Sequence, residues 1–370
     1  MSTARVATYN VLAQTLATSR YFPYSGSALQ AKHRLPALTG RLLGLRADVI
    51  GISEAYPEVL ASLHANGYES LFVPRVKREY GVALAYHSGR VELLQSAALD
   101  FDDVADSLIG NQGDVGGGAD TFRTNSVAVF GAFRVIGAPT GEGVFVVAEA
   151  HLHWNPAQEL VKSAQAVALK RAAAEFAAAH APAKAPLIIV GDFNSMPGSW
   201  TCSILEARGG VLRTETGAAA EALVSGWNSR LPARDNDAVI AWHARLRTAL
   251  AAEVGVPVPT SWPGGARPAD VDDAGDAGAA SDGVSDDCGT LCSAYALAGR
   301  ENQITTHTAT FSACLDYIYV EVKRARLRGA SDGGLLRSVE RVPEKGDLKG
   351  PIPSAEEPSD HLPLVAEFFV

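Results

Sequence analysis

Eight stretches of the chain carry short apolar runs that end in turn residues or in polar side chains. They are 5–13 (RVATYNVLA), 47–55 (ADVIGISEA), 80–88 (YGVALAYHS), 125–133 (NSVAVFGAF), 143–153 (GVFVVAEAHLH), 186–194 (PLIIVGDFN), 315–322 (LDYIYVEV) and 362–370 (LPLVAEFFV). Runs of this length, bounded by glycine and proline, read as strands. Leu187 to Val190, held between Pro186 and Gly191, suits a strand buried on both faces. Helical periodicity falls between the strands, at Ala28 to Leu45, Pro57 to Asn66 and the alanine-rich Gln158 to His180. Strands alternating with helices in this way predict a layered α/β sandwich. A further helical stretch near Ala238 to Glu253 and an acidic segment interrupt the scaffold after the GDFN strand. The organisation expected is one domain over 1–370 with a long insertion at about 213–290.

Composition adds little to that picture except where charge is uneven. A chain of 370 residues, 47% of them hydrophobic, buries a large core. The formal net charge of −9 is unfavourable for a nucleic-acid partner until it is located. Residues 264–287 hold seven aspartates against one arginine, a net of −6, so the rest of the chain carries only −3. That segment is rich in Gly, Ala and Asp without apolar period, the composition of a solvated insertion. Four cysteines (Cys202, Cys288, Cys292 and Cys314) form neither a disulfide framework nor a zinc pattern. No apolar run reaches the roughly 18 residues of a membrane helix, and the N-terminus has no long apolar core after Arg5. A cytoplasmic chain without membrane attachment is the expectation.

The polar residues that end the strands carry the chemistry. Asn10 follows VATY, Glu54 follows ADVIGIS, His151 and His153 follow VFVVAEA, and Asp192 and Asn194 follow LIIVG. Asp316 follows FSACL, and Asp360 and His361 precede the last strand. One such residue is usually a cap or a turn; six strands each delivering one are hard to assign to turns. Carboxylates and carboxamides without cysteine suit a hard cation such as Mg²⁺ or Mn²⁺. Histidines that hold or protonate phosphate oxygens complete the inventory of a phosphoester hydrolase. No GxxxxGK[ST] loop and no GxSxG elbow occurs, which weighs against nucleotide-triphosphate transfer and a serine nucleophile.

The ordered set Asn10, Glu54, His151, GDFN, LDY (315–317) and SDH (359–361) resembles the endonuclease/exonuclease/phosphatase superfamily, over nearly the whole chain. The resemblance implies a four-layered α/β sandwich: two face-to-face mixed sheets flanked by helices, with the site in the groove at the sheet edges. YNVLAQTLATSRYFPYS, HLHWNP, DFNSMPGS, LCSAY and THTATFSACLDYIYV are similar to the branch holding deadenylases, nocturnin, the angel proteins and the 2′,5′-phosphodiesterase. It implies that Glu54 is the principal Mg²⁺ (or Mn²⁺) ligand, with Asn10 and Asp360 tuning or sharing the metal. Asp192 would orient or deprotonate the attacking water, and Asn194 would hold that water and the scissile phosphate. His361, steered by Asp316, would contact phosphate oxygens, with His151 opposite. Trp154, Pro156 and Phe311 would form an apolar slot for the terminal base, and Arg123 and Asn125 precede a strand on the same face. The chain departs from the family at Ser53, where a glutamine is usual, and at Asn155, where deadenylases commonly carry aspartate.

The activity expected is a metal-dependent 3′-exoribonuclease acting on RNA with an adenylate 3′ end, or on 2′,5′-oligoadenylate, with release of 5′-AMP. No leucine-rich repeat platform accompanies it in the sequence, so a free-standing enzyme is expected. A phosphatase or phosphodiesterase for a small nucleotide, such as an NADPH 2′-phosphatase, or for a lipid phosphoester, uses the same cage. A non-catalytic scaffold is disfavoured because Glu54, Asp192 and His361 are all present. Arg75, Lys77 and Arg78 form a basic cluster that either touches RNA backbone or is a solvated face. His153 faces either the site or the helix layer.

Overall fold

A computed structural model describes residues 2–103, 123–206, 291–300, 303–321 and 335–370. All eight anticipated strands form within it. Together with four further strands they build two six-stranded mixed sheets. The first has the order β13-β14-β1-β2-β4-β3, made of Leu336–Val339, Leu364–Phe369, Thr3–Asn10, Val49–Ala55, Gly81–His87 and Tyr68–Pro74. The second has the order β5-β6-β7-β8-β12-β9, made of Val91–Asp100, Val127–Val135, Val144–His151, Leu187–Asp192, Asp316–Glu321 and Leu291–Ser293. In each sheet one central pair is parallel, β1 with β2 and β7 with β8, and the remaining pairs are antiparallel. A short hairpin of β10 (Thr306–His307) and β11 (Ser312–Ala313) stands apart.

The central strands are buried almost throughout, and their successive residues face alternate sides, dividing the core into three slabs. Val6, Val49, Leu84, Val129, Val147, Ile188, Val190 and Ile318 meet between the sheets. On the outer side of the first sheet, Ala7, Tyr9, Ile50 and Ile52 pack against α1 (Ala31–Gly44) and α2 (Pro57–His64). On the outer side of the second, Val146, Ala148 and Ile189 pack against α3 (Glu159–His180) and α4 (Trp200–Glu206). A strand between two apolar slabs must be apolar on both faces, so LIIV and VFVV read as unbroken runs. Each such side chain contributes roughly 1.5–3 kcal/mol on burial, and the helix–sheet–sheet–helix stack follows from that.

Two expectations change. The helix expected over Ala28 to Leu45 is broken: a 3₁₀ turn at Gly26–Leu29 precedes α1, and Gln30 between them is extended. β5 was not foreseen because it is an edge strand with much of its length exposed and no clean alternation. The insertion at about 213–290, with its helical stretch near Ala238 to Glu253, lies outside the described residues. Among the described residues, no helix is long and apolar enough to cross a membrane.

Candidate active site

The polar residues at the strand ends converge at one edge of the sandwich, half from each sheet. Asn10 ends β1, Glu54 lies near the end of β2, His151 ends β7, Asp192 ends β8 and Asp316 opens β12. His361 joins them through an isolated bridge to Thr306. The register explains the convergence: β7 and β8 run parallel with His151 beside Asp192, and β12 runs back along β8 with Asp316 beside the same residue.

Asp192 is the hub. Its Oδ2 accepts a hydrogen bond from Asn10 Nδ2 at 2.9 Å and its Oδ1 accepts from the Asn194 backbone N–H at 2.9 Å. The same Asn10 amide donates to Glu54 Oε1 at 3.3 Å, so one carboxamide joins the carboxylates of the two sheets. The other Glu54 oxygen accepts from the Ala13 N–H at 2.8 Å. Two imidazoles approach Asp192 Oδ2, His151 Nε2 from 3.6 Å and His361 Nε2 from 3.7 Å. Those distances exceed a hydrogen bond. Neither ring is therefore locked to the carboxylate.

The histidines differ in charge. Burial, with Arg75 adding to it, pushes His151 well below its usual value and keeps it neutral. Burial alone would do the same to His361, but the charges of Asp316 and Asp192 and a 2.7 Å hydrogen bond from Nδ1 to Asp316 overcome it and raise its pKa well above the ordinary value. Around them sit acids that resist ionising. Burial raises Asp192 to about 6. Glu54 is raised by burial and then by Asp360, and Asp360 is raised mainly by its own burial.

Asp192, Asp316 and His361 bring ligand atoms within 4.8 Å of one another. A histidine held protonated by its partner is a poor ligand: Asp316 holds His361 by a hydrogen bond, and Asp192 faces it from beyond hydrogen-bond reach. The oxygen set that fits a hard cation is Glu54 with Asn10 and the nearby Asp360. Burial holds the Glu54 and Asp360 carboxyls out of their charged form, so a divalent cation on this oxygen set answers a need of these residues.

A pH prediction follows from the raised acids and His361, which share one sign, while His151, held below its ordinary value, acts oppositely as pH climbs toward that value. An acid whose pKa is higher folded than unfolded loses stability as pH climbs from the carboxylate range to the folded value. A histidine whose folded pKa is raised contributes below its unfolded value and loses that contribution as pH rises further. In EDTA the Tm should therefore fall between about pH 5 and pH 8, by on the order of 5 °C. Mg²⁺ should restore it mostly at the higher pH, as differential scanning calorimetry would show. A flat metal-free curve would mean that these carboxylates do not ionise in that window.

Local backbone geometry aims the side chains. Glu54 takes φ 57 at a β-bulge between Ser53 and Ala55, which turns its carboxylate off the strand's alternation and into the site. Asn194 takes φ 49 and is clamped three ways: its N–H by Asp192, its Nδ2 donating to Leu152 O at 3.1 Å, and its carbonyl accepting from Lys162 Nζ at 2.7 Å. Lys162 is buried and pairs with Glu159 at 2.9 Å, which in turn accepts from Thr201. Backbone in this region costs about 1–3 kcal/mol, and the clamp supplies the compensation.

Several supports were not foreseen. Arg34, buried in α1, donates to the carbonyls of Val11, Leu12 and Pro358 and so ties the loop after Asn10 to the loop before Asp360. Its place on the Leu38 and Leu42 stripe of α1 was the available signal. Arg75 separates from Lys77 and Arg78: its guanidinium turns inward to His151 O at 3.0 Å and Ser126 Oγ at 3.2 Å. Ser53, where the family usually has glutamine, donates to Glu149 Oε1 at 2.7 Å and accepts from the Asp192 N–H at 3.4 Å. Gly51 makes the room, since a Cβ there would lie 2.3 Å from Glu149 Oε2.

The expected substrate residues lie on the same edge. Asn125 precedes β6 with φ 56 and its N–H bonded to Asp102. Arg123 is exposed beside that same carboxylate. Trp154 is 65% exposed, Phe311 47% exposed, and Pro156 exposed, so none is core. His153 packs on the helix layer, its backbone on Gln165 and its ring on Gln158.

With this geometry established, likeness to known proteins gives it a family context. The sequence profile of the Endonuclease/Exonuclease/phosphatase family matches residues 7–361. Carbon catabolite repressor protein 4 homolog 4 of Arabidopsis thaliana is 26% identical over 399 residues, covering 98% of this chain and 77% of that protein. Probable RNA exonuclease NGL3 of Saccharomyces cerevisiae is 28% identical over 199 residues, covering 52% of this chain and 38% of its own. The crystal structure of ANGEL2, described as a 2′,3′-cyclic phosphatase, aligns with a TM-score of 0.66 at 21% identity, covering 99% of this chain and 95% of that one. At that identity the likeness establishes the four-layered fold.

Proposed function

Because the chain belongs to the endonuclease/exonuclease/phosphatase family, we propose that it is a Mg²⁺-dependent 3′-exoribonuclease that removes adenylate residues from poly(A) or 2′,5′-oligoadenylate and releases 5′-AMP. The observation that carries this is Asp192, held by Asn10 and the Asn194 N–H while a neutral and a protonated histidine face the same oxygen. Relatives named as RNA exonucleases and exposed Trp154 and Phe311 beside the site favour RNA as substrate.

Asp192 orients the attacking water and takes its proton, a role suited to a carboxylate raised to about 6. The hydroxide oxygen bonds to phosphorus as the bond to the sugar oxygen of the preceding nucleotide breaks. That oxygen leaves as a hydroxyl once protonated, and the terminal residue departs as 5′-AMP. His361, kept cationic by Asp316, donates to a phosphoryl oxygen where negative charge grows. His151, neutral, donates from the opposite side, and Asn194 holds the phosphate. Mg²⁺ or Mn²⁺, seated on Glu54 with Asn10 and Asp360, supplies neutralisation of phosphoryl charge.

A second activity, dephosphorylation of a small nucleotide, is suggested by the fold likeness to ANGEL2, a protein described as a 2′,3′-cyclic phosphatase. Chromatography of products separates the two. Protein with Mg²⁺ is offered 3′,5′-oligoadenylate, 2′,5′-oligoadenylate, oligouridylate, a 2′,3′-cyclic-phosphate end and NADPH. Stepwise AMP from an oligoadenylate is expected; phosphate or ring opening with intact oligomers would replace the proposal with the second activity. Trp154→Ala should reduce the preference for a terminal adenine over uracil by about 5- to 100-fold, the scale of one stacked base. An unchanged preference would remove Trp154 from the base slot.

A further inference from the structure

A cavity of about 710 Å³ opens between the 3₁₀ turn Gly26–Leu29 and the return segment 341–357. Tyr24 and Ala28 line one wall, and Pro343, Leu348, Pro351 and Ala355 the other. Its charged side chains are paired: Arg341 with Asp347 at 2.7 Å, Lys349 with Glu356 at 2.6 Å, and Glu357 with Arg41, outside the lining, at 3.1 Å. The lining therefore exerts little pull on a phosphate. Its proline, leucine and tyrosine surfaces suit a flat uncharged ring, and the volume is within the usual range for a small-molecule site.

The cavity is coupled to the catalytic loop. Tyr24 is 37% exposed, and its hydroxyl donates to Ile352 O at 2.8 Å. The Ile352 N–H donates to His307 O at 2.8 Å, and the His307 N–H to Asp360 O at 3.4 Å. Three hydrogen bonds thus link Tyr24 to Asp360. The cavity lies on the Asp360 side, reached from the first sheet, whereas Trp154 follows His151 on the second. A 3′-exonuclease holds one nucleoside beyond the scissile phosphate and the remaining chain before it. If the terminal base goes to Trp154, the upstream strand leaves toward Tyr24.

We propose that this cavity is a second base-binding subsite, which takes an adenine upstream of the scissile phosphate and stacks it on Tyr24. It rests on the exoribonuclease function proposed above. A base subsite of this kind favours polymers over mononucleotides and makes the enzyme sensitive to the identity of bases it does not cleave.

The test compares oligoadenylate with an oligomer of equal length whose terminal adenine is kept and whose upstream bases are abasic. For the wild-type chain, removal of the upstream bases should raise KM by about 5- to 100-fold. In Tyr24→Ala, and in Ala355→Trp, which fills the cavity from an exposed position, that ratio should approach one. Tyr24→Phe, which keeps the ring and loses the bond to Ile352, should retain the wild-type ratio. A wild-type ratio near one, or a ratio equally large in both variants, overturns the subsite while leaving the exonuclease intact. Absence of AMP from every oligomer overturns the exonuclease, and the subsite with it.

Discussion

Replacing Asp192 by alanine is expected to lower kcat on oligoadenylate by about 10²–10⁴-fold, the range for losing a positioned general base. The effect should be large because Asp192 has no substitute. His151 and His361 face its oxygen, but the first is kept neutral by burial and the second is held cationic by Asp316, so neither is placed to take over orientation of the water. The fold should survive. Removing the side chain takes away two acceptors, for Asn10 Nδ2 and the Asn194 N–H, but it also removes an acid that burial raises to about 6 and that opposes folding at neutral pH. The Tm in EDTA at pH 7.5 should therefore change by only a few degrees. Near-normal turnover in this variant would exclude Asp192 as the base.

Glu54→Ala is expected to cost at least about 10²-fold in kcat, and to do so by a different route. Its carboxylate offers a hard oxygen to a cation and is already oriented by Ala13 and Asn10. The variant should need more Mg²⁺ for half-maximal activity. It should also lose most of the Mg²⁺-induced rise in Tm, a measure independent of turnover. Asp192→Ala should keep that rise at least in part. If Glu54→Ala responds to Mg²⁺ like the wild-type chain in calorimetry, the cation sits elsewhere.

The scaffold was legible because burial writes itself into the pattern. Strands sandwiched between two apolar slabs appear as unbroken runs, and their polar ends mark where the chain meets the groove, which is why Asn10, Glu54, His151, Asp192 and Asp316 could be picked out. What the pattern could not give is conformation against propensity. Nothing in GISEA announces a bulge with Glu54 in the left-handed region, because the bulge is imposed by pairing with β4. Arg75 was hidden by its neighbours: in a basic cluster on the surface, only packing decides which guanidinium turns inward. Arg34 and Glu149 did leave a trace, a charge on an apolar helix stripe and a carboxylate inside a buried strand. Lys162 left none, since its role depends on the fold bringing α3 to the Asn194 carbonyl.

The division of the site between two sheets also sets an order in time. During synthesis the first strand emerges early, yet one of its two neighbours is β14 and the other is β2. β1 therefore keeps an open edge until residues 364–369 arrive, and Asp360 and His361 reach the groove only with them. A ribosome-bound chain would carry Asn10, Glu54, His151 and Asp192 without the cationic partner that faces a phosphate. His361, which faces Asp192, thus joins the other four only when the long-range pairing of β1 with β14 closes the sheet.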